Sequence, residues 1–332
     1  MWQVVGQDRI LVLLDHSLKQ SNTAHAYLLV GPPHMGKKTL ALNLAQALNC
    51  DGSEPPCGQC HSCRRILEGK HADVISTDLD SKTEIGIDDI RALQRLANLP
   101  PYEGRCKVFI IEDAEYMSIE AANALLKTLE EPPPKVVWLL LSAEELRLLP
   151  TIISRCQRLE LKPVPSEQVE QILVTLYNVD LGKAKLLARL CHGCLGWALS
   201  ALADEGVLNQ RSQRLTKLSS LLTASIEQRF TYAQELATQF SQDRRSVAEA
   251  MGFWLGWWRD LMFINLGCRE AITNIDYAMA LQKQAKSLSV SEIKQFLSSL
   301  RLLQEEISKN VNPRLVVESL MLNMPRREIV NG

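Results

Sequence analysis

Hydrophobic positions in the first half of the chain follow two patterns that alternate. Short, nearly continuous apolar runs are typical of buried strands. They predict five strands, at residues 26–30, 72–78, 107–114, 135–143 and 155–161. Apolar residues at helical spacing occupy the stretches at 7–20, 39–49, 87–99 and 119–131. This alternation predicts a parallel α/β sheet with helices on both faces.

The pattern changes near residue 163, where the proline-punctuated stretch "KPVPSEQV" begins. Almost everything beyond it has helical spacing and no convincing strand. We therefore expect an α/β domain at 1–162, a small all-helical domain at 163–205 and a second all-helical domain at 206–332. One late helix carries an apolar cluster that we expect in the core or at a subunit interface: Phe253, Trp254, Trp257, Trp258 and Leu261.

Composition narrows the possible partners of this chain. Its 37 basic residues nearly cancel 38 acidic ones, so there is no overall positive field to hold nucleic acid. No apolar run approaches the roughly 18 residues of a membrane span, and the N-terminus lacks the layout of a signal peptide. These features predict a cytoplasmic protein with no membrane contact. In a reducing compartment, its nine cysteines are metal ligands or buried thiols rather than disulfides.

The stretch "GPPHMGKKT" at residues 31–39 lies between a predicted strand and a predicted helix. Gly31, Gly36 and Lys37 match a phosphate-binding loop, in which backbone N–H groups and a lysine hold phosphates. The next position normally supplies a hydroxyl to Mg²⁺, but here it is Lys38, and Thr39 follows one residue later. The loop is therefore predicted to accommodate ATP, while its sequence argues against Mg²⁺ binding.

The strand at 107–114 ends in Glu112 and Asp113, where P-loop ATPases carry the acids that hold Mg²⁺ and orient water. Their order is the reverse of the usual Asp-Glu. Because the two side chains differ by a methylene, each carboxylate is displaced by more than about an ångström, and such errors cost roughly a hundredfold in rate. The alternative interpretation is two solvated acids at a strand end.

Four cysteines lie within fourteen residues, with the spacing Cys50-x6-Cys57-x2-Cys60-x2-Cys63. This spacing predicts a structural zinc module at 50–63, because four thiolates fill a tetrahedral site and leave no position for substrate. His61 is an alternative ligand, and free buried thiols are the other alternative.

The stretch "ISRC" places Ser154, Arg155 and Cys156 at the start of the last predicted strand. An isolated arginine there is most often solvated. The other interpretation is an arginine that reaches the phosphate site of a neighbouring subunit and stabilises transferring phosphoryl charge.

These motifs together resemble the clamp-loader branch of the AAA+ superfamily. The resemblance is carried by "VVGQDRI", "HAYLLVGPPHMGKKTLA", the four-cysteine insert, "KVFIIEDAEYMSIEAANALLKTLEEPP" and "LPTIISRCQRLEL". Within that branch the chain is similar to the non-motor subunits of the bacterial DNA polymerase III loader. Recognisable motifs cover about residues 4–165.

The resemblance implies a RecA-like module, a helical lid and a helical collar. It implies a hetero-pentameric ring with gamma or tau and delta subunits, which opens the sliding clamp and places it on primed DNA. It makes Arg155 an arginine finger acting in trans, and Cys50, Cys57, Cys60 and Cys63 the zinc ligands. Motor subunits use a lid arginine to sense the γ-phosphate, and the matching position in "GCLGWAL" is Gly196.

The functional hypothesis is a stator subunit of the clamp loader with weak or absent ATPase activity of its own. No polymerase chemistry is visible in the chain, so a polymerase label would belong to the assembly. One rival is a self-sufficient ATPase, either a gamma/tau-type motor or another AAA+ enzyme. Another is a zinc-and-helix scaffold that binds no nucleotide.

Overall fold

The computed structural model describes residues 2–20, 22–77, 84–242, 244–307 and 313–326. Contacts divide the chain into two compact units. The first comprises Met1–Val169 and His192–Trp197, and the second Glu170–Cys191 and Ala198–Gly332. These two units do not test the expected domains at 1–162, 163–205 and 206–332, and that division stays a prediction.

The first unit is built on a parallel sheet of five strands in the order β2-β3-β4-β1-β5. The strands are β1 (Ala26–Val30), β2 (Val74–Thr77), β3 (Lys107–Ile111), β4 (Val136–Ser142) and β5 (Gln157–Glu160). All five predicted strands are therefore present, and residue 78 of the second lies outside the described residues. Because these strands run parallel, their carboxyl ends meet at one edge of the sheet, so the glycine loop after β1 and the acidic end of β3 lie at the same edge, with β4 between the two strands.

Alternate residues of each strand enter different cores, as the pleat of a strand requires. Tyr27 and Leu29 of β1 pack with apolar residues of the helices at residues 8–19 and 37–48, whereas Leu28 packs with those of the helices at 87–97 and 119–130. Phe109 and Trp138, which face each other across β3 and β4, stack with ring centroids 4.6 Å apart. The sheet is thus covered on both faces, and the predicted α/β P-loop fold is confirmed.

In the described part of the first unit, six helices surround this sheet: α1 (Asp8–Lys19), α2 (Lys37–Leu48), α3 (His61–Leu67), α4 (Ile87–Ala97), α5 (Ile119–Glu130) and α6 (Pro150–Ile153). Helix α5 begins where the Ser118 side chain accepts a hydrogen bond from the Ala121 backbone N–H, as the sequence predicted. It ends before the prolines at 132–134, which cannot continue a helix. Helices α7 (Ser166–Tyr177) and α9 (Leu195–Ala203) each cross from one unit to the other.

The second unit is helical throughout its described part. Its helices are α8 (Leu181–Leu190), α10 (Glu205–Ser220), α11 (Ile226–Gln242), α12 (Arg244–Asn265), α13 (Ala278–Ala285), α14 (Val290–Ile307) and α15 (Pro313–Asn323). The predicted apolar cluster lies in its core, where Trp254, Trp257 and Trp258 are buried and Trp258 packs against Phe296. Among the described residues, no helix is both long and apolar enough to cross a membrane.

A buried arginine joins two helix ends in this second unit. The Arg229 guanidinium donates hydrogen bonds to the carbonyls of Leu221 and Leu222, which follow α10. It also donates to the carbonyls of Met321 and Met324, at the end of α15. Burial lowers the pKa of Arg229. The cation nevertheless fits there, because the carbonyls at helix C-termini lack partners within the helix and carry partial negative charge.

Candidate nucleotide, arginine and metal sites

The glycine loop connects the carboxyl end of β1 to the N-terminus of α2, the edge at which ligands bind in parallel α/β sheets. The Gly31 N–H donates to the Ser142 carbonyl at the end of β4, at 3.2 Å. Gly36 has φ +90°, a conformation that favours glycine, and directly precedes α2. The first N–H groups of α2 therefore face the loop with the positive end of the helix dipole. This is the strand–loop–helix geometry that the sequence predicted.

The Lys37 ammonium lies inside this loop. It donates to the carbonyls of Gly31 at 2.5 Å and Pro32 at 3.0 Å. Burial holds the pKa of Lys37 below its ordinary value, and the charges of Glu115 and Asp113 offset this lowering only in part. A phosphate that enters the loop would replace these two carbonyls as the partner of the Lys37 ammonium, which already lies in place.

The N-terminal segment lies beside the same loop. Gln7 forms two hydrogen bonds with the backbone of Lys162, one to its carbonyl at 2.7 Å and one from its N–H at 3.0 Å. The Gln3 N–H donates to the Asn43 side chain of α2 at 2.6 Å. These contacts attach residues 3–7 to the helix that follows the loop and to the chain that follows β5.

Lys38 and Glu112 form an ion pair at the position where a P-loop ATPase holds its metal. Their Nζ and Oε1 atoms are 2.8 Å apart, and the Ser76 hydroxyl donates to the same Oε1 at 2.8 Å. Asp113 adopts a left-handed backbone conformation with φ +51° at the start of a short 3-10 turn. Thr39 is half-buried in the first turn of α2. These residues do not fit a magnesium site, because an ammonium occupies the carboxylate that would bind the ion.

The position that matches the sensor arginine of motor subunits, Gly196, contacts the phosphate loop through its backbone. The Gly196 N–H donates to the His34 carbonyl at 3.0 Å. A Cβ at this position would lie 2.6 Å from that oxygen, closer than real Cβ contacts. His34 itself has φ +61°. A glycine is therefore required here, and an arginine could be accommodated only if the loop or the start of α9 moved.

Arg155 lies between α6 and β5, with 34% of its side chain exposed. Its NH2 group pairs with the Glu130 Oε1 at 2.5 Å, at the end of α5. Its NH1 group donates to the Thr151 carbonyl at 3.0 Å and to the Ser154 hydroxyl at 3.3 Å. These three bonds use at most three of the five N–H donors of a guanidinium. The side chain is thus held at the surface in a fixed orientation with donors to spare.

The four predicted cysteines come together, with their sulfur atoms all within 4.8 Å of one another. Each of the four sulfurs lies near a backbone N–H or another cluster sulfur. The Cys57 and Cys60 N–H groups donate to the sulfurs of Cys50 and Cys57, at 3.4 and 3.3 Å, and the Cys63 N–H donates to the Cys60 sulfur at 3.4 Å. Such donors stabilise thiolates, the form that binds metal. The cluster could therefore hold a metal ion.

The surroundings of the cluster affect its thiols differently. Backbone N–H donors lower the pKa of Cys57 to about 6, whereas burial raises the pKa of Cys50 and of Cys63. Gln46 of α2 donates to the Cys63 carbonyl at 2.7 Å and accepts from Asn43 at 3.0 Å. The cysteine module is thus attached to the helix that follows the glycine loop.

Comparison with known proteins identifies the family. Residues 6–165 match the family described as "DNA polymerase III, delta subunit", and residues 206–325 match "DNA polymerase III, delta subunit, C terminal". The chain is 30% identical to the DNA polymerase III subunit delta' of Bacillus subtilis, over 95% of both chains. The chain belongs to the delta-prime family of DNA polymerase III clamp-loader subunits.

Proteins named as tau or gamma subunits of DNA polymerase III are also similar to this chain. The DNA polymerase III subunit tau of Escherichia coli is 36% identical over 68% of this chain, which spans 36% of that protein. A solved DNA polymerase III gamma subunit-related protein of Thermotoga maritima is 20% identical and covers 94% of this chain and 99% of its own, with a TM-score of 0.39. Because that score is low, the fold assignment depends on the strand order and on the delta-prime family match.

Three residues of this delta-prime family member contribute to the sites although the sequence did not single them out. Glu130 pairs with Arg155, Gln46 supports the cysteine module, and Glu115 is buried beside the loop, where its Oε1 accepts from the Ala143 N–H at 3.0 Å. Glu115 follows the acidic pair by two residues, so a third carboxylate in "EDAEYM" was a usable signal. The other two depend on contacts between distant parts of the chain.

Proposed function

We propose that this chain is the stator subunit of a bacterial DNA polymerase III clamp loader and that Arg155 acts on ATP bound by a neighbouring motor subunit. The observation that carries the proposal is a contrast between two sites in one domain. Arg155 is oriented and partly exposed, whereas the chain's own phosphate loop has an ammonium at its metal position.

The orientation of Arg155 suits action across a subunit boundary. Thr151 and Ser154 fix one guanidinium nitrogen, and Glu130 fixes another. A side chain held in this way loses less conformational freedom when it contacts a phosphate, and preorganised positive charge is what stabilises phosphoryl transfer.

The chain's own loop supports nucleotide binding better than hydrolysis. Gly31, Gly36 and Lys37 offer the phosphate contacts, together with Lys38 and Thr39 at the start of α2. Hydrolysis would need a metal and an activated water, and Glu112 is engaged by Lys38. We therefore expect ATP to bind without efficient turnover, and no polymerase chemistry in this chain.

Zinc is the metal that best fits the cysteine cluster. A site of four thiolates suits Zn²⁺, and with all four positions taken by protein its role is structural. Cys50, Cys57, Cys60 and Cys63 would hold the ion and fix the module against α2.

The assembly in which we expect this chain to work is a hetero-pentameric ring with gamma or tau and delta subunits in the bacterial cytoplasm. The ring would open the sliding clamp and place it on primed DNA. We expect a RecA-like domain at 1–162, a lid at 163–205 and a collar at 206–332 that joins the ring.

The test is a reconstituted loader in which this chain carries Arg155→Ala. We expect DNA-stimulated ATPase activity to fall, because loss of an arginine finger costs about 10³-fold or more at the affected site, although other sites of the ring dilute the total. Arg158→Ala is the matched control, since Arg158 is similarly exposed and paired with Glu145. Equal rates for the native and Arg155→Ala loaders would remove the role in trans.

A further inference from the structure

Mg²⁺ in a P-loop site bridges two groups of the protein besides the phosphates. One is the hydroxyl that directly follows the loop lysine, and the other is an acid on a neighbouring strand. In this chain those two positions are Lys38 and Glu112, and they bind each other at 2.8 Å. The two groups that should share a dication are thus already joined as cation and anion.

The Glu112 carboxylate is held firmly in this pairing. The Ser76 hydroxyl at the end of β2 donates to the same Oε1 atom that Lys38 contacts. The Glu112 side chain is only 17% exposed, whereas that of Lys38 is 55% exposed. The carboxylate is therefore fixed by the sheet, and the flexible partner is the lysine.

Neither neighbour restores a metal site. Thr39 follows Lys38 by one residue, which on a helix is a rotation of about 100° away from the position that faces the phosphates. A divalent cation at Glu112 would also lie beside the Lys38 ammonium and be repelled by it. The local charge arrangement thus disfavours magnesium while keeping one positive charge at its place.

We propose that the Lys38 ammonium takes the place of Mg²⁺, so that this loop binds a nucleoside di- or triphosphate without any divalent cation. An ammonium has three N–H donors. One can remain on Glu112 while the others reach phosphate oxygens beside those contacted by Lys37. The binding would be independent of Arg155, so a failure of the arginine role would leave this proposal intact, and the converse also holds.

The experiment is a calorimetric titration of the full-length chain with ADP, once with excess Mg²⁺ and once with EDTA. For the native chain we expect dissociation constants that agree within about twofold. For Lys38→Thr, which restores the usual hydroxyl, we expect Mg²⁺ to tighten binding by about tenfold or more. Lys38→Met removes the charge without supplying a hydroxyl, and it should weaken binding in both buffers.

Two controls locate the effect. Lys37→Ala should abolish binding, which places the ADP in the loop, and Lys19→Thr, an exposed lysine in the last turn of α1, should change nothing. The proposal is overturned if the native chain binds ADP about tenfold tighter with Mg²⁺, if Lys38→Thr acquires no dependence on Mg²⁺, or if the native chain does not bind ADP in either buffer.

Discussion

Gly196 offers a direct test of how closely the start of α9 packs on the phosphate loop. The substitution is Gly196→Ala, which adds one methyl group. In the native chain the Gly196 N–H donates to the His34 carbonyl at 3.0 Å. The added Cβ would lie 2.6 Å from that oxygen and 3.3 Å from the carbonyl carbon. The obstacle is backbone, which cannot rotate aside as a side chain can.

The cost can be estimated from these distances. Real Cβ contacts essentially never fall below 3.0 Å, so the loop and α9 must separate by a few tenths of an ångström. Overpacking of this kind costs about 1–3 kcal/mol, and a weakened hydrogen bond adds up to about 1 kcal/mol. If the strain is relieved by local opening, the amides of residue 31 and residues 34–39 should exchange about 5- to 900-fold faster for the combined cost of about 1–4 kcal/mol.

Hydrogen exchange of the full-length chain measures the local opening of the phosphate loop, and thermal unfolding gives the change in stability as a second readout. Gly252→Ala is the matched control, because a Cβ there meets nothing within 4 Å and the residue lies inside α12. Alanine should stabilise that helix by about 0.5–1 kcal/mol. Unchanged exchange in the loop of Gly196→Ala, or equal stability changes in the two variants, would refute the close packing of the start of α9 on the loop.

Three further predictions concern other contacts. Glu130→Gln should lower the ATPase rate of the reconstituted loader by up to about tenfold, because the arginine that it orients is released, and Glu131→Gln, the adjacent exposed acid, should not. Cys57→Ser should remove one equivalent of zinc in metal analysis and loosen residues 50–67 in hydrogen exchange, whereas Cys106→Ser should keep the metal. Burial would raise the pKa of Asp73, but N–H donors at residues 102–104 outweigh it and hold the pKa below its ordinary value. Its stabilising effect is therefore present above about pH 4 and lost as the pH falls further, so Asp73→Asn should flatten the acid limb of urea midpoints between about pH 2 and 5, and an unchanged limb would contradict this.

The sequence predicted those features that depend on neighbouring residues. Strand β1 has the predicted bounds, because five buried apolar residues in a row fit the centre of a parallel sheet. Ser118 caps α5 as expected. The four cysteines converge because they lie within fourteen residues, a segment short enough for local turns to bring them together.

Helix α3, which begins in the cysteine module and continues beyond it to Leu67, was not predicted. It has only seven residues, too few for an apolar period to be recognised. Its N-cap is Cys60, whose sulfur accepts from the Cys63 N–H. Cysteine is not among the usual N-cap residues. Cys60 was therefore interpreted only as a metal ligand, and the start of the helix was not recognised.

The partners of the site residues could not be predicted, since they come from distant parts of the chain. Glu130 and Arg155 are 25 residues apart, and they meet only because α5 ends beside α6. The Gly196 contact with His34 depends on the return of the chain from α8 to the loop. Such contacts are set by tertiary packing, on which local sequence patterns carry no information.

The central claim is that this chain supplies an arginine to a neighbour and does not use its own loop for hydrolysis. The most direct measurement compares steady-state ATPase rates of two reconstituted loaders, one with Arg155→Ala and one with Lys37→Ala in this chain. We predict that Arg155→Ala lowers the rate and Lys37→Ala leaves it nearly unchanged. A rate that falls with Lys37→Ala and persists with Arg155→Ala would contradict the account.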